Sequence, residues 1–251
     1  MKLFRILVLC LAVLATGISA TASNTWLQKG TDTLKSLGGT DTQTAVSGTS
    51  PALPMTDVVA GLKEALTVGS GNVVQKLGQT DGFYKDPQVR IPLPGTLARV
   101  KSALDKVGMS GYADDLELKL NRAAEAATPK ARDLFMTAIS QMTFEDARAI
   151  LNGPEDAATQ YFKAKMSPEL AAAMTPVVED SLSEVGAVQS YDRMMGQYAA
   201  LPFVPDVKAD LTGHVVDKGM DGIFHYMAKE EAGIRKDPVK RTTDLLKRVF
   251  Q

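Results

Sequence analysis

The feature that constrains the fold most is a set of sequence signals for the starts of helices. Thr128-Pro129, Ser167-Pro168 and Asp237-Pro238 each place a capping side chain immediately before a proline. Such residues are favoured at the N-cap, and proline is favoured at the first helical position. With the Gly and Pro corners between them, these signals predict an all-α fold, a single multi-helix domain of about nine or ten helices.

Other local signals refine this prediction. Thr143 followed by Asp146 imitates a capping box, and Asn152-Gly153 closes the helix that it opens. Gly-Ser-Gly at residues 69–71 predicts a break between two helical halves. Thr175-Pro176 predicts a kink or a new helix start, because an interior proline costs about 3 kcal/mol.

The N-terminus has the pattern of an export signal. Lys2 and Arg5 precede an apolar run over residues 6–15, and Ala20-Thr21-Ala22 supplies an A-x-A cleavage site. We therefore expect a signal peptide over residues 1–22 and a periplasmic mature protein. Later apolar runs fall short of the ~20 residues of a membrane-spanning helix, so we expect no transmembrane span.

The mature chain is expected to have two parts. Residues 23–55 form an N-terminal segment and a flexible tether, because residues 38–54 are rich in Gly, Ser and Thr. Residues 56–251 form the helical domain. At its end, residues 235–250 are amphipathic, and we expect them to dock on the core rather than on a membrane.

Composition excludes several functions. Cys10 is the only cysteine and leaves with the signal peptide, so the mature protein has no disulfide and no thiolate metal site. Removal of Lys2 and Arg5 leaves 26 basic against 29 acidic residues, a net charge of about −3. That balance offers no cationic surface for nucleic acid. We expect neither a metal nor another cofactor.

The two histidines are the first candidate site. On a helix spanning residues 211–231, His214, Asp217, Asp221 and His225 would form one stripe, with an apolar stripe roughly opposite. The histidines would be about 16 Å apart, too far to share a metal ion. We interpret the row as a solvated face, with a metal or acid-base site and a partner contact as alternatives.

The second candidate is the acidic helix around residues 112–131. Glu117, Asn121 and Glu125 share a face, Arg122 lies beside them, and alanines on several sides would let other helices come close. Buried charges must be paired, so we interpret these residues as an internal polar network. A solvated face and a binding or catalytic site are the alternatives.

The third candidate is residues 80–94, TDGFYKDPQVRIPLP, which contain Tyr84 and Arg90 and the one strand-like piece, residues 88–92. We name this stretch the corner segment. Its prolines and Asp81-Gly82 predict a rigid corner rather than a ligand loop or a partner edge. We further predict that Arg90 pairs with Glu117 or Glu125 of the acidic helix.

Several blocks carry a family resemblance, among them DGFYKDPQVRIPLP, LNRAAEAATPKA, MTFEDARAILNG and EEAGIRKDPVKRTTDLLKRVF. Over about residues 56–251 the chain resembles an uncharacterised family of exported bacterial helical proteins, known as a numbered domain of unknown function. The resemblance implies a helical envelope protein and brings no activity, cofactor or catalytic residue. Some relatives look like lipoproteins, but this chain lacks a mature N-terminal cysteine.

These observations favour a non-enzymatic envelope protein that binds another envelope protein or a cell-wall component. One alternative is a small-molecule or lipid binder with a cavity between helices. The other is a hydrolase that uses paired carboxylates, Glu117 or Glu125, as acid or base. The candidate polar cluster for any of these roles comprises Tyr84, Arg90, Glu117, Asn121, Arg122 and Glu125.

Overall fold

Eight α-helices and one 3-10 turn make up the described part of the chain. The computed structural model describes residues 54–201 and 209–236. The elements are α1 (Met55–Gly78), α2 (Gly95–Asp105), α3 (Gly111–Ala127), the 3-10 turn (Thr128–Lys130), α4 (Ala131–Gln141), α5 (Phe144–Asn152), α6 (Ala157–Glu184), α7 (Ala187–Ala199) and α8 (Leu211–Lys236). The predicted all-α class is confirmed, and the helix count over these residues is lower than the nine or ten expected.

Some predicted features fall elsewhere in the chain. The signal peptide, the tether and the amphipathic segment after Lys236 lie outside the described residues. Of the helices that the structure describes, none combines the length and the apolar character needed to cross a membrane.

Two predicted interruptions are absent from the described helices, and the helix start predicted at Asp237-Pro238 lies outside the described residues. Helix α6 runs through both Pro168 and Pro176, so the helix start predicted at Ser167-Pro168 is wrong. An unbroken stripe on α6, at most 2% exposed, spans both prolines: Phe162, Met166, Leu170, Met174 and Val178. Burying each such side chain stabilises the fold by about 1.5–3 kcal/mol, enough together to offset about 3 kcal/mol per interior proline.

The break predicted at residues 69–71 is also wrong. Helix α1 is continuous there, and Gly69 lies against α8, where an added Cβ would be 3.7 Å from Ile234 and 3.8 Å from Glu230. Ser70 is buried and donates its hydroxyl to the Thr67 carbonyl at 3.2 Å. The small residues serve helix packing and not a chain break.

Two cap predictions had different outcomes. The capping box at the start of α5 is confirmed, since Asp146 N–H donates to Thr143 Oγ1 at 3.1 Å and Thr143 N–H donates to Asp146 Oδ2 at 2.9 Å. Thr128-Pro129 opens only the 3-10 turn, and Thr128 donates its hydroxyl to the Ala124 carbonyl instead of capping. The α-helix itself begins at Ala131.

Helix α3 is covered on more than one side. It packs against α6, α7 and α8, and Ala123, Ala124 and Ala127 are fully buried. At Gly219 of α8 an added Cβ would lie 3.8 Å from the Ala124 methyl. The small side chains therefore let the helices approach closely, and the polar residues of α3 are drawn into the interior with them.

The corner segment joins α1 to α2 and contains no strand, so the strand-like interpretation of residues 88–92 is wrong. The N–H groups of Val89 and Arg90 both donate to the Asp86 carbonyl, at 3.2 and 2.8 Å, which closes a turn. Phe83 and Ile91 are fully buried. The proline-rich sequence is anchored on the core without any ladder of backbone hydrogen bonds.

Glycine is required at one position of this corner. A Cβ at Gly82 would lie 2.5 Å from the Lys76 carbonyl oxygen and 2.6 Å from that of Leu77. Next to it, Asp81 has φ 69°, the left-handed region that aspartate tolerates better than most residues. The Asp81-Gly82 pair therefore lets the chain reverse tightly against the end of α1.

Candidate functional site

The structure brings the six predicted polar residues together where the corner segment crosses α3. Tyr84 and Arg90 come from the corner segment, and Glu117, Asn121, Arg122 and Glu125 follow one another along about two turns of α3. We call this group the polar cluster. That it is a binding site remains a prediction.

Glu125 holds the first half of the corner segment. Its carboxylate, in a residue 4% exposed, accepts the backbone N–H groups of Phe83 and Tyr84 at Oε1, at 3.0 and 3.1 Å. Its Oε2 accepts Arg122 Nη1 at 2.6 Å. A buried carboxylate is costly unless paired and hydrogen-bonded, and both oxygens of Glu125 are so occupied.

Asn121 holds the second half. Its fully buried side chain accepts the Ile91 N–H at Oδ1 and donates from Nδ2 to the Ile91 carbonyl, both at 2.8 Å. Nδ2 also donates to the Glu117 carbonyl at 2.8 Å. The amide thereby replaces the strand partner that Ile91 lacks.

The predicted ion pair of Arg90 is present, and its partner is Glu117. Arg90 Nε donates to Glu117 Oε1 at 2.7 Å, and Lys101 reaches Glu117 Oε2 at 3.3 Å and Asp114 Oδ1 at 2.6 Å. The hydrogen bond to Asp114 and the charge of Glu117 raise the pKa of Lys101 despite opposing desolvation. Glu117 therefore sits between two cations.

An aromatic ring and a second arginine complete the cluster. Arg122 donates to Asp81 Oδ1 at 2.5 Å as well as to Glu125. Hydrogen bonds from Lys85 and Arg122 lower the pKa of Asp81. The Tyr84 ring lies 4.5 Å from the guanidinium carbon of Arg90 and 5.9 Å from that of Arg122, within cation–π range. The cluster binds its own chain at every charged group.

A second polar contact, not predicted, ties the corner segment to α8. Asp86 accepts the Tyr226 hydroxyl, and Lys76 Nζ lies 3.4 Å from Asp86 and 3.7 Å above the Tyr226 ring. Burial opposes ionisation of Asp86, but the hydrogen bonds from Tyr226, the Gln88 N–H and Lys76 outweigh it and lower the pKa of Asp86. Only the fold brings these residues together.

The histidine row lies on α8 beside the corner segment. His214 Nε2 is 2.7 Å from the Pro92 carbonyl, and His225 Nε2 is 3.3 Å from Gln88 Oε1. Asp217, Asp221 and His225 are exposed. Over residues 54–201 and 209–236, no group of three His, Cys, Asp or Glu side chains could hold a metal ion.

Glu231 is a buried structural carboxylate that was not predicted from the sequence. It is 5% exposed and accepts the N–H groups of Ala158 and Thr159, each at 2.9 Å, at the start of α6. Arg235 donates to it at 3.0 Å. Glu231 follows Ile223 and Met227 at four-residue steps on the buried stripe of α8, and that spacing was the signal available.

A large open groove lies on another part of the surface. It has a volume of about 670 Å³ and lies between the second half of α1 and the start of α4; its lining includes Gly71, Asn72, Gln75, Gln79, Pro129 and Arg132. We call it the α1 groove. A Cβ added at Gly71 would meet nothing within 4 Å. The missing side chain therefore leaves part of the groove empty.

Within the described ranges, the α1 groove differs from the polar cluster in how its polar groups are used. The side chains of Asn72, Gln75, Gln79 and Arg132 form no hydrogen bond or ion pair with any other described residue. The charged groups of the polar cluster, in contrast, all have partners. These four side chains of the α1 groove are therefore available to form hydrogen bonds with a ligand.

Comparison with known proteins gives one match. A family model described as "Protein of unknown function (DUF4197)" matches residues 52–251, as the resemblance predicted. No curated protein matches the chain. No solved structure matches it either. The matched range includes both the polar cluster and the α1 groove.

Proposed function

Because the chain belongs to the DUF4197 family, whose description assigns no function, we propose its role from the geometry: it is a non-enzymatic binding protein of the bacterial envelope. The export signal of residues 1–22 supports a periplasmic location. The partner is an envelope protein or a cell-wall component, and the α1 groove is the surface that receives it.

The observation that carries this proposal is the use made of Glu117 and Glu125. A general acid or base must reach a substrate proton and change its protonation state during the reaction. Glu125 is instead committed to two backbone N–H groups and Arg122, and Glu117 lies between Arg90 and Lys101. Freeing either carboxylate would release the corner segment, so both act as structural anchors.

Binding at the surface is also better supported than binding inside the helical core. The cavity beside Leu62, Leu66, Ala158 and Ile234 has a volume of about 10 Å³, room for a single water molecule. Ligand pockets commonly measure about 300–1,000 Å³, a range that includes the α1 groove at about 670 Å³.

The proposal is tested with the mature protein purified from the periplasm of its own host. Gly71→Phe is designed to fill the α1 groove, since a Cβ at Gly71 meets nothing within 4 Å. Gly196→Phe is its matched control, because a Cβ at the exposed Gly196 of α7 also meets nothing within 4 Å. Native mass spectrometry should show a co-purifying component with wild type and Gly196→Phe and none with Gly71→Phe. A component retained by Gly71→Phe would contradict the assignment of the groove.

The catalytic alternative has its own test. Glu117→Gln and Glu125→Gln keep the shape of each side chain and remove its charge. We expect each folded variant to retain the co-purifying component and to complement a deletion strain. Loss of complementation by a variant that still binds the component would favour the hydrolase.

A further inference from the structure

We propose that the α1 groove binds a peptide through its free C-terminal carboxylate and its last few amide groups. This ligand class rests on the proposed function, and it follows from the order and chemistry of four side chains. Asn72 and Gln75 belong to α1, Gln79 is the residue that ends it, and Arg132 belongs to α4.

The first step is the row of amides on α1. Asn72 and Gln75 of α1 and its C-cap residue Gln79 are spaced by three and four residues, so they follow one side of the helix to its end over about 10 Å. An extended peptide advances about 3.3 Å per residue, and the row therefore matches about three residues of ligand. Each side chain offers both N–H donors and a C=O acceptor, the two functions that a peptide bond presents.

The second step is the cation on the other wall. Arg132 is exposed in the first turn of α4, and the groove lining contains no Asp or Glu among the described residues. A guanidinium binds a carboxylate through two parallel hydrogen bonds, a geometry that lysine does not offer. Arg132 thus offers a carboxylate-binding group in the same groove as the row of amide-binding groups.

The third step is the space available to a ligand backbone. Gly71 leaves open volume beside Asn72, and Gly78 comes close to Pro129, whose Cγ would lie 3.4 Å from an added Cβ. There is therefore free space beside Gly71, whereas Gly78 is packed against Pro129. A peptide end placed beside Gly71 shares the groove with the Arg132 guanidinium.

The test is an NMR titration of the 15N-labelled full-length protein with acetyl-Ala-Ala-Ala and with its C-terminal amide. The side-chain NH2 signals of Asn72, Gln75 and Gln79 should shift with the acid, with a dissociation constant on the order of 1 mM or tighter. The amide should bind at least about tenfold more weakly, since a charge-assisted pair is lost.

Two variants complete the design. Arg132→Gln should reduce affinity for the acid about tenfold and leave the weak binding of the amide unchanged, a difference that misfolding would not produce. Gly71→Phe should abolish the shifts, and the matched control Gly196→Phe should preserve them. Equal affinity for acid and amide, or the absence of shifts at the three amides, would overturn the proposal.

The two proposals fail in different ways. If neither peptide binds but Gly71→Phe still loses the component that co-purifies with wild type, the ligand class is wrong and the binding function stands. If Gly71→Phe also retains that component, the groove has no binding role. Shifts induced only by a glycan fragment without a peptide would replace the peptide with a sugar ligand.

Discussion

Asn121 pairs with both backbone groups of Ile91, through two hydrogen bonds of 2.8 Å that join residues 30 positions apart. Both partners are fully buried. The Asn121 side chain therefore forms the backbone hydrogen bonds that a neighbouring strand would otherwise form with Ile91. It holds the corner segment to α3 without a sheet.

Asn121→Leu is expected to destabilise the protein by about 2–5 kcal/mol, because the N–H and C=O of Ile91 would stay buried without partners. Urea unfolding followed by circular dichroism measures the change. Asn152→Leu is the control, since Asn152 is exposed and, among the described residues, its side chain bonds only to Arg148 on its own helix. That variant should stay within about 0.5 kcal/mol of wild type, and equal losses in the two variants would contradict the role of Asn121.

Gly82→Ala and Gly71→Ala should change stability in opposite directions. The added methyl at residue 82 would meet two carbonyl oxygens at 2.5 and 2.6 Å, and such overpacking costs about 1–3 kcal/mol or more. At residue 71, inside α1, the methyl meets nothing and alanine should stabilise the helix by about 0.5–1 kcal/mol. Differential scanning calorimetry should show a lower Tm for Gly82→Ala and a higher Tm for Gly71→Ala.

Asp86 should make the free energy of unfolding depend on pH in the acidic range. Its pKa is lower in the folded protein than the ordinary value of 3.8, since hydrogen bonds to the carboxylate outweigh burial. Its stabilising contribution is therefore complete above that value and is lost as the pH falls through the folded pKa. Unfolding free energies between pH 2 and 6, about the range in which aspartates titrate, should fall less steeply on acidification in Asp86→Asn than in wild type. An unchanged slope would contradict the shift.

Glu231→Ala should expose the start of α6. The N–H groups of Ala158 and Thr159 would lose their acceptor in a buried setting, a cost of about 2–4 kcal/mol. Hydrogen exchange should accelerate most at these two amides. Glu155→Ala removes an exposed ion pair with Lys236 and should change stability by less than about 1 kcal/mol. Faster exchange spread evenly over the whole chain in Glu231→Ala would argue against a local cap.

The sequence was most informative where the cause was local. Thr143 and Asp146 are three residues apart, and their capping box could be predicted from helix geometry alone. The Arg90–Glu117 pair was predictable because the alanines of α3 implied burial, and a buried carboxylate needs a cation. The helix start predicted at Pro168 was wrong, because the burial of the apolar side chains of α6 against other helices offsets the cost of Pro168 and Pro176 inside the helix.

The rest depends on contacts between distant parts of the chain. Nothing near Asp86 indicates Tyr226, which is 140 residues away. The α1 groove is lined by both Asn72 and Arg132. Neither residue stands out in the sequence, and only the folded structure places them in the same groove. Polar side chains without hydrogen-bond partners can be identified only when the contacts of all the described polar groups are known.

The carboxylate that satisfies the start of α6 is supplied by a residue 73 positions later than Ala158. Because the chain is synthesised from its N-terminus, the residues of α6 are made well before Glu231, which accepts the N–H groups at the start of that helix. Fragments ending before α8 should leave this helix end open to exchange and proteolysis, and closure should come only when the last described helix arrives. The start of α6 can therefore be completed only after most of the described domain has been synthesised.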